Sequence, residues 1–140
     1  NGKPKVALFG LGPMFTIAQD AADQLADEFD CALINPRFTK PIDEATTEYF
    51  ARAADRVVTV EDHVIAGGYG SIVSDLLVEK GVSTPVERIG WPDQFIEHAS
   101  SVSELRQKYG LTTDAIVARI RGEKKASKAT AARDESSAVA

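Results

Sequence analysis

Between Val57 and Ser71 the chain reads Val-Val-Thr-Val-Glu-Asp-His-Val-Ile-Ala-Gly-Gly-Tyr-Gly-Ser, and this stretch restricts the fold more than any other. All four residues of Val57–Val60 are β-branched, which suits a short buried strand. Two carboxylates, Glu61 and Asp62, close the run, and Gly67-Gly68-Tyr69-Gly70 leads into an apolar helical pattern. A strand that passes through a loop into a helix N-terminus is half of a β-α-β unit. In a sheet built of such units, ligands and partners approach this end of the strands.

The remaining segments repeat that unit. Lys5–Gly10 is a second apolar run ended by glycine, and Gly10-Leu-Gly-Pro13 forms the turn after it. Met14, Ala18, Ala21, Leu25 and Phe29 recur at spacings of three and four, with Asp20, Asp23 and Asp27 opposite, so a helix is predicted over about residues 13–28. Cys31–Ile34 is a short strand, followed by the two-proline loop Asn35-Pro-Arg-Phe-Thr-Lys-Pro41. A helix is expected to start at Pro41–Ala45 and to bury Ile42, Ala45, Tyr49 and Ala53. The helix after the glycines turns Ile72, Val73, Leu76 and Leu77 inward and stops at Gly81. Val86–Ile89 is another strand, Trp91-Pro92-Asp93 a turn, and Phe95-Ile96 its expected anchor to the core. Ser101-Val-Ser-Glu104 has capping-box spacing. Leu111 is placed to fold back over a glycine cap at Gly110, and Thr112 to cap a last helix carrying Ile116, Val117 and Ile120. The alternation predicts an α/β fold: a mostly parallel sheet of about five strands with helices on both faces and right-handed crossovers.

The 140 residues suffice for one domain with a core. From Gly122 the sequence turns to alanine, serine, lysine and scattered acids, so the expected division is a domain over 1–121 and a polar, flexible tail over 122–140. Residues 123–140 hold four of the 16 basic and three of the 21 acidic residues, which leaves 12 against 18 in the body. That acidity, with a net charge of −5, argues against a nucleic-acid partner. No apolar run approaches the ~18 residues of a membrane span, so no membrane partner is expected. The single cysteine, Cys31, rules out an internal disulfide and suits a reducing compartment, the cytoplasm. The chain opens on Asn1 and its one methionine is Met14, as expected of a piece cut from a longer polypeptide or of one trimmed at its start.

The chemistry-bearing residues each admit a plainer reading. Gly10-Leu-Gly-Pro-Met-Phe15 is half of a dinucleotide fingerprint, but Phe15 stands where the third glycine belongs. Gly67, Gly68, Gly70 and Ser71 at a helix start are anion-cradle candidates; the alternatives are tight packing on neighbouring backbone and an interface. Glu61 is a site candidate, and Asp62 is read as solvated or turn-forming. Neighbouring strand residues face opposite ways, so the two do not form a dyad. Arg37 lies past a strand end, where it either grips a phosphate or carboxylate or holds an acid such as Glu61. His63 and His98 stand 35 positions apart without metal-ligand spacing, and no nucleophile–base pair assembles. The residues alone give no catalytic set, no metal site and no cofactor site.

Three segments carry a resemblance. Asn35-Pro-Arg-Phe-Thr-Lys-Pro-Ile-Asp43, Val58-Thr-Val-Glu-Asp62 and Gly67-Gly-Tyr-Gly-Ser71 resemble the C-terminal domain of transketolase-like thiamine-diphosphate enzymes, with Asp62 where that family commonly has a second glutamate. Ile89-Gly-Trp-Pro-Asp-Gln-Phe-Ile-Glu-His98 and Tyr109-Gly-Leu-Thr112 resemble the 1-deoxy-D-xylulose-5-phosphate synthase branch, with Trp91 and Ala99 as departures. The match covers about residues 5–121. It implies the last of three domains of an enzyme using thiamine diphosphate and Mg²⁺. That enzyme would join pyruvate to glyceraldehyde 3-phosphate with loss of CO₂, on the way to isoprenoid, thiamine and pyridoxal phosphate precursors. The implied partners are the other two domains and a second subunit of a homodimer. The cofactor and metal would be bound outside this chain, which alone would be inactive. Arg37, Glu61 and Gly67–Ser71 match motif positions and take structural or interface roles on this reading. The alternatives are the equivalent domain of a transketolase or of a 2-oxoacid dehydrogenase beta subunit, and a free-standing anion-binding regulatory module.

Overall fold

The computed structural model describes residues 2–94 and 101–123. The expected contacts of Phe95, Ile96 and His98, and all of the tail after Glu123, lie outside the described residues.

Four strands form the sheet among the described residues: β1 (Lys5–Gly10), β2 (Asp30–Ile34), β3 (Arg56–Val64) and β4 (Val86–Trp91). Their order is β2-β1-β3-β4 and every pairing is parallel. Among the described residues the sheet thus has four strands, where about five were expected. The central strands β1 and β3 are covered on both sides, which is why Val6–Phe9 and Val57–Val60 read as unbroken apolar runs in sequence. β3 continues past Val60 through Glu61, Asp62 and His63, with an irregularity in its pairing to β4 between Val60 and Val64.

Among the described residues five helices connect and cover the strands: α1 (Met14–Leu25), α2 (Glu44–Ala53), α3 (Tyr69–Glu79), α4 (Val102–Tyr109) and α5 (Thr113–Arg121). Alternation along the strands sends Val6, Leu8, Val58 and Val60 to one face, where they meet Met14, Ala18, Ala21 and Leu25 of α1 and Ile116 and Ile120 of α5. Ala7, Phe9 and Val57 go to the other face, against Ala51 of α2 and Tyr69, Val73 and Leu77 of α3. Each large side chain buried this way contributes roughly 1.5–3 kcal/mol. Helices therefore lie on both faces, as the alternation of elements predicted.

The caps follow local chemistry. Ser101 and Glu104 form the reciprocal capping box of α4. Gly110 ends α4 in the left-handed conformation, and the fully buried Leu111 returns its N–H to the Arg106 carbonyl at 2.8 Å. Thr112 caps α5 through Ala115 N–H. At Gly10 an added Cβ would stand 2.7 Å from the Phe15 Cα, so this glycine seats α1 directly on the end of β1.

Helix α2 departs from expectation. Asp43 is its N-cap, with its side chain accepting from Thr46 N–H at 3.0 Å, so Ile42 precedes the helix. Ala45 and Ala53 are exposed and Tyr49 is 68% exposed; the buried residues are Thr47 and Ala51. The Thr47 hydroxyl tolerates burial because it donates to the Asp43 carbonyl at 2.7 Å.

Candidate functional site

The C-terminal ends of β1 and β3 are neighbours, and the chain leaves them toward opposite sides of the sheet. That divergence opens a concavity of 240 Å³ lined by Leu11, Thr39, Lys40, Glu61, His63, Gly67, Gly68, Tyr69 and Ile72. A parallel sheet places its binding crevice at such a switch point.

Glu61 lies at the inner wall and is 1% exposed. Its Oε1 accepts from Tyr69 N–H at 2.9 Å and its Oε2 from Gly70 N–H at 2.7 Å. A buried carboxylate thus caps the positive end of α3 with both oxygens. The first free N–H groups of α3 are engaged by a group of the same chain. Gly68 makes this possible: a Cβ there would sit 1.9 Å from Oε1 of Glu61 and 2.6 Å from the Val64 carbonyl. Gly70 is equally confined, since a Cβ would approach Thr59 Oγ1 to 2.5 Å and Arg88 Cγ to 2.8 Å. Ser71 Oγ donates to the Ile65 carbonyl at 3.0 Å and accepts from Arg88 at 2.9 Å.

Glu61, Gly67, Gly68, Gly70 and Ser71 therefore come together as one cluster. Arg37 does not join them. It is exposed in the 35–43 loop with φ 55°, its N–H donates to Asn35 Oδ1 at 3.2 Å, and it makes no ion pair among the described residues. His63 Nδ1 stands 3.8 Å from Glu61 Oε1, too far for a hydrogen bond, and lies 2.9 Å from the Val64 carbonyl.

Asp62 corrects the reading of a merely solvated residue. Its Oδ1 accepts from the Trp91 indole N–H at 2.8 Å and its Oδ2 from Arg106 at 2.7 Å. Trp91 meets Tyr109 edge to face at 5.7 Å. The acid after Glu61 thus ties β4 and α4 to the end of β3.

Two participants were given no role by the sequence: Tyr69, inside the glycine motif, and Arg88, far from it. Tyr69 has a buried ring inclined to Phe9, centroids 6.5 Å apart. Burial, then the charges of Glu61 and Asp43, hold its phenol well above the ordinary tyrosine range, with Thr47 opposing. Arg88 reaches Ser71 from an edge strand 17 positions away. Cys31 packs half-buried in β2 against the α1 side of the core, and burial pushes its thiol up. Among the described residues, no group of three or more His, Cys, Asp and Glu is placed to hold a metal ion. No helix of the described residues is long and apolar enough to cross a membrane.

A family model described as "Transketolase, C-terminal domain" matches residues 1–116. The chain belongs to that family. A 1-deoxy-D-xylulose-5-phosphate synthase of Methylacidiphilum infernorum is 49% identical over 110 residues, covering 78% of this chain and 17% of the relative. A second, from Acidobacterium capsulatum, is 46% identical over 119 residues, covering 82% of this chain and 18% of the relative. A solved structure titled "Split gene transketolase, inactive beta4 tetramer" superposes with a TM-score of 0.73 at 34% identity, over 87% of this chain and 38% of that one. The chain thus spans less than a fifth of the length of these curated relatives. The family expected from the loop, strand-end and glycine motifs is the family found.

Proposed function

We propose that this chain is the C-terminal domain, over residues 1–121 with a polar tail over 122–140, of a 1-deoxy-D-xylulose-5-phosphate synthase. The whole enzyme condenses pyruvate with glyceraldehyde 3-phosphate, releases CO₂, and uses thiamine diphosphate and Mg²⁺ as a cytoplasmic homodimer. The observation that carries this reading is the identity to synthases, which exceeds that to the transketolase structure.

Within that enzyme the domain is a support and contact element. The residues of its crevice do not fit a diphosphate: the α3 N–H groups that would bind one are held by Glu61 at 2.9 and 2.7 Å. The same geometry speaks against a free-standing anion-binding module. Glu61, Gly67, Gly68, Gly70 and Ser71 fix the start of α3. Arg37 and Phe38, exposed on the loop at the C-terminal end of the sheet, are the contact residues for the other domains or the second subunit.

The test is a thiamine-diphosphate titration and a pyruvate plus glyceraldehyde 3-phosphate assay on the 140-residue chain, beside the full-length gene product. The expected result is binding and turnover by the full-length protein only. Cofactor binding or turnover by the 140-residue chain alone would overturn the division of labour. A full-length protein that forms no 1-deoxyxylulose 5-phosphate would overturn the synthase reading.

A further inference from the structure

Among the described residues no strand pairs with β2 on the side away from β1. Asp30 N–H donates to the Pro4 carbonyl at 2.9 Å, so Asp30 turns its backbone groups toward β1. By alternation Ala32 and Ile34 do the same, whereas Cys31 and Leu33 turn their N–H and C=O groups outward.

The opposite edge is built differently. β4 carries Glu87, paired with Arg56 and Arg119, and Arg88, which reaches Ser71. Charges of that kind keep an edge from adding strands. β2 reads Asp-Cys-Ala-Leu-Ile, with one charge at its first residue and no proline. Beside it on the α2 face lies a hollow of 170 Å³ whose walls include Ala32, Tyr49, Phe50 and Ala53. Tyr49 is largely exposed and meets Phe50 edge to face at 5.2 Å. Outward-facing backbone groups beside an aromatic hollow suit an added strand, the first giving affinity and the second taking its side chains.

The path of the chain selects which strand. Lys3 Nζ donates to the Ala26 carbonyl at 2.7 Å, so the chain enters β1 alongside the start of β2. An added strand and β1 would lie two strand spacings apart, about 10 Å. About three extended residues span that distance. A strand ending there has run from the C-terminal end of the sheet to its N-terminal end, antiparallel to β2. A parallel strand would need a crossover of about a dozen residues or more.

We propose that the segment immediately preceding Asn1 in the full-length polypeptide adds to β2 as an antiparallel strand. It bonds the backbone of Cys31 and Leu33 and lays apolar side chains over Tyr49 and Phe50. The proposal rests on reading this chain as part of a longer polypeptide, a reading supported by the greater length of its relatives.

A crystal or cryo-electron microscopy structure of the full-length gene product tests it. The expected result is a strand from residues just upstream of Asn1, antiparallel to β2 and hydrogen-bonded to Cys31 and Leu33. A β2 edge left to solvent, or covered by a second copy or by a remote segment, would overturn it. Amide exchange supplies a second measurement. The Cys31 and Leu33 amides should exchange about tenfold or more slowly in the full-length protein than in the 140-residue chain. The Ala32 amide, already turned to β1, should change far less. Equal rates at Cys31 and Leu33 in the two proteins would sink the proposal. The 1-deoxyxylulose 5-phosphate assay judges the synthase reading separately. An added strand in an inactive protein refutes only the enzyme, and an open edge in an active one refutes only the strand.

Discussion

The α-carbon of Gly68 faces the Glu61 carboxylate so closely that a Cβ on it would lie 1.9 Å from Oε1. The glycine and the glutamate form one device. The first removes a side chain so that the second can enter, and the second then satisfies two N–H groups at the start of α3. What looks in sequence like a glycine-rich loop open to a ligand is a socket filled by a strand residue.

Gly68→Ala should therefore be severe, because the second obstruction, the Val64 carbonyl at 2.6 Å, is backbone and cannot swing aside. A loss of about 2–4 kcal/mol is expected in chemical denaturation. Gly67→Ala is the informative comparison. Gly67 has φ 70° and open space around it, so only the left-handed backbone opposes a side chain, at about 1–2 kcal/mol. Equal losses at the two positions would mean that backbone conformation, not the Glu61 socket, demands both glycines.

The Asp62 clamp predicts coupling between residues far apart in sequence. Asp62→Ala and Arg106→Ala should each destabilise by about 1 kcal/mol, and the double variant by clearly less than the total of the two. Trp91 is the only tryptophan, so its emission reports the clamp directly. Asp62→Ala should shift that emission by freeing the indole N–H. Additive losses with an unmoved spectrum would show that Asp62 holds neither partner in solution.

Asp43 makes the start of α2 acid-sensitive. The Thr46 backbone N–H, and then its hydroxyl, hold the Asp43 carboxyl below its ordinary value of 3.8. A carboxylate whose folded value is depressed contributes stability that is fully present above the unfolded value and is lost as pH falls through the folded one. The difference in urea midpoint between the natural protein and Asp43→Ala should be constant above about pH 5 and shrink below pH 3.8. A difference that stays constant through that range would mean the ionised form does not form the cap.

Much of the fold was legible because its signals are local. The capping box at Ser101–Glu104, the glycine stop at Gly110 with the return of Leu111, and the apolar runs of β1 and β3 each lie within a few neighbouring residues. Helix α2 misled for a local reason as well. Its spacing fits Ile42, Ala45, Tyr49 and Ala53, but Asp43 begins the helix one residue after Ile42 and rotates Thr47 and Ala51 to the core. A threonine on the buried face reads as polar until its bond to the Asp43 carbonyl is known. At the candidate site, strand alternation separated Glu61 from Asp62 correctly. It could not reveal that Asp62 meets Arg106, 44 positions away, or that Arg37 stays out of reach of Glu61. Those partnerships depend on which strands are adjacent, and no short window of sequence contains that.

The placement of α5 beside α1 has a consequence during synthesis. Arg121 pairs with Glu28, 93 positions earlier, and Ile116 and Ile120 cover the same strand face as Met14 and Leu25. A ribosome that has delivered β1 to β4 has still not made the helix that shares that face with α1. The nascent domain therefore leaves the part of that face shared with Ile116 and Ile120 open to solvent or to chaperones until α5 emerges, and a chain cut short before Thr113 would carry that sticky face permanently.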